Sequence, residues 1–367
     1  MRKVAVTGGH LTPAIATIDE IKKYPDTEII FIGRARSTEG DKTPSAESVV
    51  IPNLGIKFFA INAGRIQRHF GRYTAWAAAK IPVGFIQSLG ILSRERPNVV
   101  LSFGSYVAAP VVLAAWVLGI PVITHEQTVK GGLANKLISR FAKKIAVAWE
   151  HSLSSFPKDK AILVGNPIRA ELLNLKKKRT NRPVIYITGG NQGAHAINEM
   201  VMDVLVDLLK EFEVYHQTGG SEVYKDYETL NALVQQFPQR LKSRYILAKW
   251  FDTKETGEIF SRAAVVVGRS GANTVVETMA LGIPAVFIPL PISAGDEQMK
   301  NAKVVEQIGA GVILPQDRLT PKRLLAAIKL IISKYKSYKE SAKGARKTLR
   351  LNAAPLLAKE TIDLTNP

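Results

Sequence analysis

The chain of 367 residues contains no cysteine and far fewer acids than bases. Without cysteine there is no disulfide framework, no thiol nucleophile, no redox pair and no cysteine-ligated zinc, and the composition fits a reducing compartment. The shortage of acid is large: 31 Asp and Glu stand against 50 Lys and Arg, a formal charge of +19. Nucleic acid, an anionic membrane and a phosphorylated substrate all answer to such an excess, and only its distribution along the chain can separate them. No secretory core follows Arg2 and Lys3, so the protein is expected to stay inside the cell. The dinucleotide fingerprint G-x-G-x-x-G is missing, which argues against a nicotinamide or flavin cofactor, and there is no Walker A motif. No Asp-x-Asp pair occurs either. A sugar transfer by this chain would therefore have to neutralise a leaving diphosphate with helix dipoles and cations rather than a metal.

What is present is globular: 46% hydrophobic and 22% charged residues exclude disorder, and the length predicts two domains. The stretch from Leu101 to Thr124 carries no charge and is long enough to cross a bilayer. Gly104, Pro110, Gly119 and Pro121 divide it into a strand, a helix of about three turns and a second strand, the punctuation of a buried β-α-β unit. Two segments, VAVTGGH from Val4 and VIYITGGNQGA from Val184, each end an apolar β-branched run in paired glycines before a helix-compatible stretch. That is how a doubly wound parallel α/β domain begins. Further strands are expected at 28–32, 99–103, 122–124 and 144–148, with the first sheet's last strand ending at Leu163 and Val164, then at 213–217, 245–248, 264–267, 285–288 and 311–314. The boundary falls at Asn166 and Pro167, giving domains 1–166 and 167–348, with a C-terminal helix in 349–367 available to complete the first.

Candidate functional groups gather at expected strand ends. Gly189 to Ala194 leaves backbone N–H groups at a helix amino end, where a diphosphate is favoured. Arg269-Ser270-Gly271-Ala272-Asn273-Thr274 repeats the arrangement, and Glu277 could take a ribose diol or could merely stabilise its helix. Asp296, Glu297, Gln298 and Asn301 follow a further strand. In the first half His10 follows Gly8-Gly9 and could accept a proton near neutral pH, although a lone histidine there is more often a helix-start residue. His125-Glu126-Gln127 adds polar groups on the same rim.

The order of TGGHLTPAIA, SFGSYVAAPVVLAAWVLGIPVITHEQ, GLANKLISRFAKKIAVAWE, VGNPIR, GGNQGAHAINE, RSGANTVVETMALGIPAVFIPLP and DEQMKNA resembles the MurG family, the N-acetylglucosaminyltransferases that convert lipid I to lipid II. The resemblance runs from Val4 to about Pro315. It implies a GT-B glycosyltransferase fold, with two Rossmann-like doubly wound domains facing across a cleft. It further implies an inverting, metal-independent transfer from UDP-N-acetylglucosamine to the muramoyl 4-hydroxyl of undecaprenyl-diphosphate-linked muramoyl-pentapeptide, without a cofactor. Arg169, Asn191, Gln192 and Gly193 would hold the donor diphosphate, with Ser270, Gly271 and the turn Ala272-Asn273-Thr274. Phe251 would frame the uracil, Glu277 the ribose and Gln298 the sugar. On the acceptor side the resemblance points to Thr7, Gly8, Gly9, His10, Tyr106, Glu126, Thr128 and Asn135, with His10 as first choice of base and Glu126 behind it. Ala5-Val6 replace the first glycine pair of the usual GGTGGH, Thr128 stands where HEQN has asparagine, and Asn191 and Glu297 replace the usual Ser and Gln.

A lipid acceptor requires an approach to the membrane. Arg65, Arg68, Arg72 and Lys80 lie beside Phe70, Tyr73 and Trp76, an interfacial pattern attracted by anionic headgroups. The expected location is the cytoplasmic face of the cell membrane, held peripherally. Two other functions fit parts of the pattern: a related GT-B enzyme acting on another glycolipid or epimerising a sugar nucleotide, and a basic nucleic-acid-binding protein. The second rests on charge alone and has no recognisable motif.

Overall fold

The computed structural model describes residues 1–36, 44–64, 72–129, 131, 133–190 and 193–365. The chain forms two compact units, Met1–Arg169 with Arg350–Pro367, and Ala170–Leu349.

In the first unit the described residues form β1 (Arg2–Thr7), β2 (Thr27–Gly33), β3 (Lys57–Ala60), β4 (Val99–Ser102), β5 (Val122–Glu126), β6 (Lys144–Val147) and β7 (Ala161–Leu163). They pair throughout in parallel, in the order β3-β2-β1-β4-β5-β6-β7. Strands covered on both faces must be apolar along their whole length, and VVLS in β4 and KIAV in β6 show that composition. The uncharged stretch from Leu101 resolves into β4, the helix Ser105–Val117 and β5, with Val107, Val111, Val112, Ala114 and Ala115 fully buried against the sheet. Each such valine stabilises the fold by roughly 1.5–3 kcal/mol. The C-terminal helix Ala353–Asp363 packs on the helix Leu11–Ile21 and puts Leu357 and Ile362 in the same core as Val4, Val6 and Leu101. Ala5 and Val6 belong to β1 and are wholly buried.

The second unit contains β8 (Val184–Thr188), β9 (Glu213–Gln217), β10 (Tyr245–Ala248), β11 (Ala263–Gly268), β12 (Ala285–Phe287) and β13 (Gly311–Ile313), all parallel in the order β10-β9-β8-β11-β12-β13. Its core joins Ile185, Ile187, Val265 and Val267 of the sheet to Val201, Leu205 and Leu208 of the helix His195–Glu211. In each unit the chain leaves the first strand in one direction and later returns to its other side. The switch point lies between β1 and β4 in the first sheet and between β8 and β11 in the second. In open parallel sheets the crevice outside the carboxyl ends at that point is where ligands bind.

Candidate functional site

On the first unit, four adjacent strands deliver polar groups to the carboxyl edge. β1 leads into Gly8-Gly9-His10, β2 into Arg34, β4 into Gly104-Ser105-Tyr106, and β5 into Gln127 and Thr128. The crevice between β1 and β4 is narrow: a Cβ on Gly8 would lie 2.8 Å from the carbonyl carbon of Phe103, and the backbone there has φ +136°. Ser105, a non-glycine residue at φ +70°, is held in the left-handed region at the same point. Such strain persists where surrounding structure over-determines it, commonly at functional sites.

His10 precedes the helix Leu11–Ile21 at its N-cap, yet its side chain makes no capping bond. The ring is therefore not spent on starting the helix. Burial lowers its pKa, the nearby carboxylate of Glu126 opposes that shift, and the Arg34 guanidinium adds to it. A neutral imidazole is the form able to accept a proton. Glu126 is 2% exposed and braced from two sides. Its Oε1 accepts from the Thr128 amide at 2.9 Å and the Thr128 hydroxyl at 2.7 Å, and its Oε2 accepts from Asn135 Nδ2 at 3.0 Å. A carboxylate so occupied is better placed to act on His10 by its charge than to take a substrate proton itself. His125 is buried, its pKa pushed down to about 4, with Nε2 donating to the Gly165 carbonyl at 2.9 Å. Its role is to fix that rim. Thr7 Oγ1 and Asn135 Oδ1 are buried without a partner among the described residues.

Arg34 and Glu47 were not among the residues expected here. Arg34 Nε donates to Glu47 Oε1 at 2.9 Å and one terminal nitrogen donates to the Tyr106 hydroxyl at 3.1 Å. Their signal in the sequence is an arginine directly after the second strand, where a cofactor-binding sheet would carry an acid.

On the second unit, Asn191 and Gln192 lie outside the described residues, but both flanks of their turn are defined. Gly193 has φ +76°, and a Cβ there would collide with the Thr218 carbonyl. Gln217, at the end of β9, donates to the Gly190 carbonyl at 3.2 Å and accepts the Phe251 amide at 3.2 Å, tying the glycine turn to the Trp250-Phe251 segment. Phe251 stands edge-on to Tyr186 with ring centroids 6.3 Å apart. Beyond β11, Gly271 caps the helix Ala272–Leu281 with no side-chain bond, leaving the amides of Ala272, Asn273 and Thr274 in the first turn. Glu277 is the sixth residue of that helix, outside the first turn, so the helix-dipole explanation for it does not hold. Its charge, behind the larger effect of burial, raises the Tyr186 pKa.

The remaining side chains divide by what they already touch. The Ser270 hydroxyl donates to the Gln298 carbonyl at 2.7 Å, and Gln298 Oε1 accepts from the Leu290 amide at 2.9 Å. The side-chain Nε2 of Gln298 has no acceptor among the described residues. Arg269 donates to the carbonyls of Ile288 and Pro289. Arg169, the last residue of the first unit before the chain crosses over, has its Nε buried with no partner among the described residues. A polar chain that was not anticipated runs behind the glycine turn. His195 Nδ1 meets Asp226 at 2.7 Å, Asp226 accepts from Asn198, and Asn198 meets His216, which contacts Tyr245. Arg68 and Phe70, expected at the membrane, lie outside the described residues, as does Arg65; Arg72, Tyr73, Trp76 and Lys80 fall on the helix Arg72–Glu95, whose first turns carry no described side chains.

Residues 6–147 match the glycosyltransferase family 28 N-terminal domain and residues 184–360 match the glycosyltransferase family 28 C-terminal domain. The UDP-N-acetylglucosamine–N-acetylmuramyl-(pentapeptide) pyrophosphoryl-undecaprenol N-acetylglucosamine transferase of Clostridium kluyveri is 34% identical over 342 residues, 90% of this chain and 91% of the relative. The protein of the same name from Lachnoclostridium phytofermentans is 34% identical over 358 residues, 94% of this chain and 95% of the relative. Among solved structures, Acinetobacter baumannii MurG superposes with a TM-score of 0.70 at 25% identity, covering 99% of this chain and 100% of that one.

Proposed function

Since the chain belongs to glycosyltransferase family 28, we propose that it transfers N-acetylglucosamine from UDP-N-acetylglucosamine to the muramoyl unit of undecaprenyl-diphosphate-linked muramoyl-pentapeptide. The observation that carries this reading is identity of about a third, over nine-tenths of both lengths, to proteins bearing that name. The two polar strand edges agree with it.

The donor belongs on the second unit. Its diphosphate is held by the turn containing Asn191, Gln192 and Gly193 and by the amides of Ala272 to Thr274, where helix amino ends favour negative charge. Phe251 frames the base, Glu277 accepts from the ribose diol, and the free amide of Gln298 reads the sugar. Arg169, whose buried Nε–H has no partner among the described residues, supplies a cation to the leaving UDP. The acceptor belongs on the first unit. The muramoyl 4-hydroxyl attacks the anomeric carbon, the bond to UDP breaks on the opposite side, and the hydroxyl proton passes to His10. Configuration is inverted, and the departing charge falls on dipoles and guanidinium rather than a metal. Incubation with UDP-N-acetylglucosamine and lipid I in EDTA should give lipid II. UDP binding without product would overturn the acceptor assignment, and product only after adding a divalent ion would overturn metal independence.

The membrane is approached peripherally. No described helix is long and apolar enough to cross a bilayer. Arg68, Phe70, Arg72, Tyr73 and Trp76 carry this reading from the sequence. An amphipathic ring among cations suits an anionic interface. Flotation with anionic liposomes at low salt should recover the wild type and less of Trp76→Ala; no binding by the wild type removes the proposal.

A further inference from the structure

In the first sheet β1 lies between β2 and β4. Arg34 follows the last residue of β2, and Tyr106 is the second residue of the helix that follows β4. The hydrogen bond from Arg34 to the Tyr106 hydroxyl, 3.1 Å long, therefore passes over the end of β1, where Gly8, Gly9 and His10 stand. The arginine is fixed from behind by Glu47, a carboxylate only 3% exposed, through a 2.9 Å bond to Nε. These two contacts use separate N–H groups of a planar fork that presents fixed directions.

We propose that the Glu47-Arg34 pair is a positioning device that makes the Tyr106 hydroxyl an obligate hydrogen-bond donor to an oxygen of the acceptor substrate. A phenol can give or take a hydrogen bond. With a guanidinium N–H already directed at its oxygen, the hydroxyl hydrogen is turned away from Arg34 and offered outward. The charge of Arg34 polarises the O–H and strengthens the bond it gives. Lysine at this position would keep the charge but lose the fork that holds Glu47 and Tyr106 at once. The strained backbone of Ser105, next to Tyr106, fits a side chain whose direction is set by its surroundings. The inference rests on the proposed acceptor chemistry, but the bond itself can be read without a substrate.

Three variants of the full chain, Arg34→Lys, Tyr106→Phe and the double substitution, test it with lipid I as the acceptor. Each single change should raise the acceptor KM by about three- to tenfold, the scale of one lost hydrogen bond. The double variant should be no worse than the weaker single variant, and the KM for UDP-N-acetylglucosamine should stay put. Multiplying effects, or an unchanged acceptor KM in Arg34→Lys, would overturn the proposal. With 3-fluorotyrosine incorporated, the resonance lost in Tyr106→Phe should move in Arg34→Lys and Arg34→Gln; an unmoved resonance would also overturn it. If that resonance responds to Arg34 but lipid I neither binds nor reacts with the wild type, the relay stands and the acceptor assignment falls. Arg34→Lys keeps a cation beside Glu47, so it reports even if Arg34→Gln does not fold.

Discussion

Gly8→Ala tests whether the crevice at the first switch point is as tight as its geometry states. Gly8 sits at φ +136°, and a β-carbon would meet the Phe103 carbonyl carbon at 2.8 Å and its Cα at 2.9 Å. A side chain in that backbone region costs about 1–3 kcal/mol. Forcing a methyl group into packed backbone costs about 1–3 kcal/mol more. The sum, roughly 2–6 kcal/mol, should lower the Tm of a unit this size by about 4–24 °C. Gly119→Ala is the control: it lies in the same unit at φ +70° with nothing within 4 Å of the added carbon, so it carries strain without collision. Trp76, Trp116 and Trp149 lie in the first unit and Trp250 in the second, so tryptophan fluorescence in a Trp250→Phe background follows the first unit alone. The expected result is a loss in Gly8→Ala clearly larger than in Gly119→Ala, with transfer to lipid I impaired and UDP affinity intact. Equal losses in the two variants would refute the close approach of β1 and β4, and with it the argument that this crevice shapes the acceptor site.

His10→Gln should cut turnover by about 10²–10⁴-fold, the usual worth of a general base, with UDP binding unchanged; near-normal turnover removes it as the base. Because burial and Arg34 hold His10 below its ordinary value, the acid limb of kcat/KM should lie below pH 6.5, move down in Glu126→Gln and move up in Arg34→Gln. A limb that ignores both substitutions would show that another group titrates. Glu277→Gln should raise the donor KM by roughly tenfold, the cost of about 1.5 kcal/mol for a charged hydrogen bond, and leave the acceptor KM alone. His216 is buried with its pKa pushed down to about 3, so between pH 3 and 6.5 the unfolded chain binds a proton that the folded one refuses. Stability of the second unit should therefore fall as the pH drops from 6.5 toward 3, by at most about 1.4 kcal/mol per pH unit, and His216→Gln should flatten the urea-denaturation profile across that window.

Most strands were legible because parallel strands buried on both faces have to be written as continuous β-branched runs, and turns between them as Gly and Pro. The exception shows the limit of that signal. β3, with sequence KFFA, is an edge strand of four residues, only partly buried, and its short run lacks the β-branched residues that mark the central strands. The strand ends carrying His10, Gly189 and Gly271 were legible for a related reason, since a glycine turn after a strand fixes where the carboxyl edge must be. The link of Tyr106 to Arg34 and Glu47 was not: Glu47 and Tyr106 lie 13 and 72 positions from Arg34, and only the sheet order brings them together. The same holds for His195, Asn198, Asp226, His216 and Tyr245, where each residue alone looks like an ordinary polar position. Long-range pairing of polar groups has no periodicity, so a single chain does not announce it.

The surplus of positive charge acquires a structural reason from the helix ends. The last carbonyls of a helix have no partner within it and carry the negative end of its dipole. Here cations repeatedly fill that vacancy. Lys177 donates to the Phe260 carbonyl in the last turn of the helix Thr253–Arg262, Arg244 to those of Leu209 and Lys210 in the helix His195–Glu211, and Arg346 to that of Ala280 in the helix Ala272–Leu281. Lys22 does the same at Leu54, just beyond the helix Ala46–Asn53. Each of these cations serves a carbonyl rather than a carboxylate, so each adds to the net charge without calling for an acid. Lys177 belongs to the basic stretch 176–182 and Arg346 to the Lys-rich stretch 329–350. In a parallel α/β unit the helices run against the strands, so their carboxyl ends lie at the edge opposite the ligand-binding crevice. Charge employed there cannot be counted toward a nucleic-acid surface. These four cations account for part of the +19, and at the carboxyl edge of the first sheet another cation, Arg34, is turned toward the Tyr106 hydroxyl.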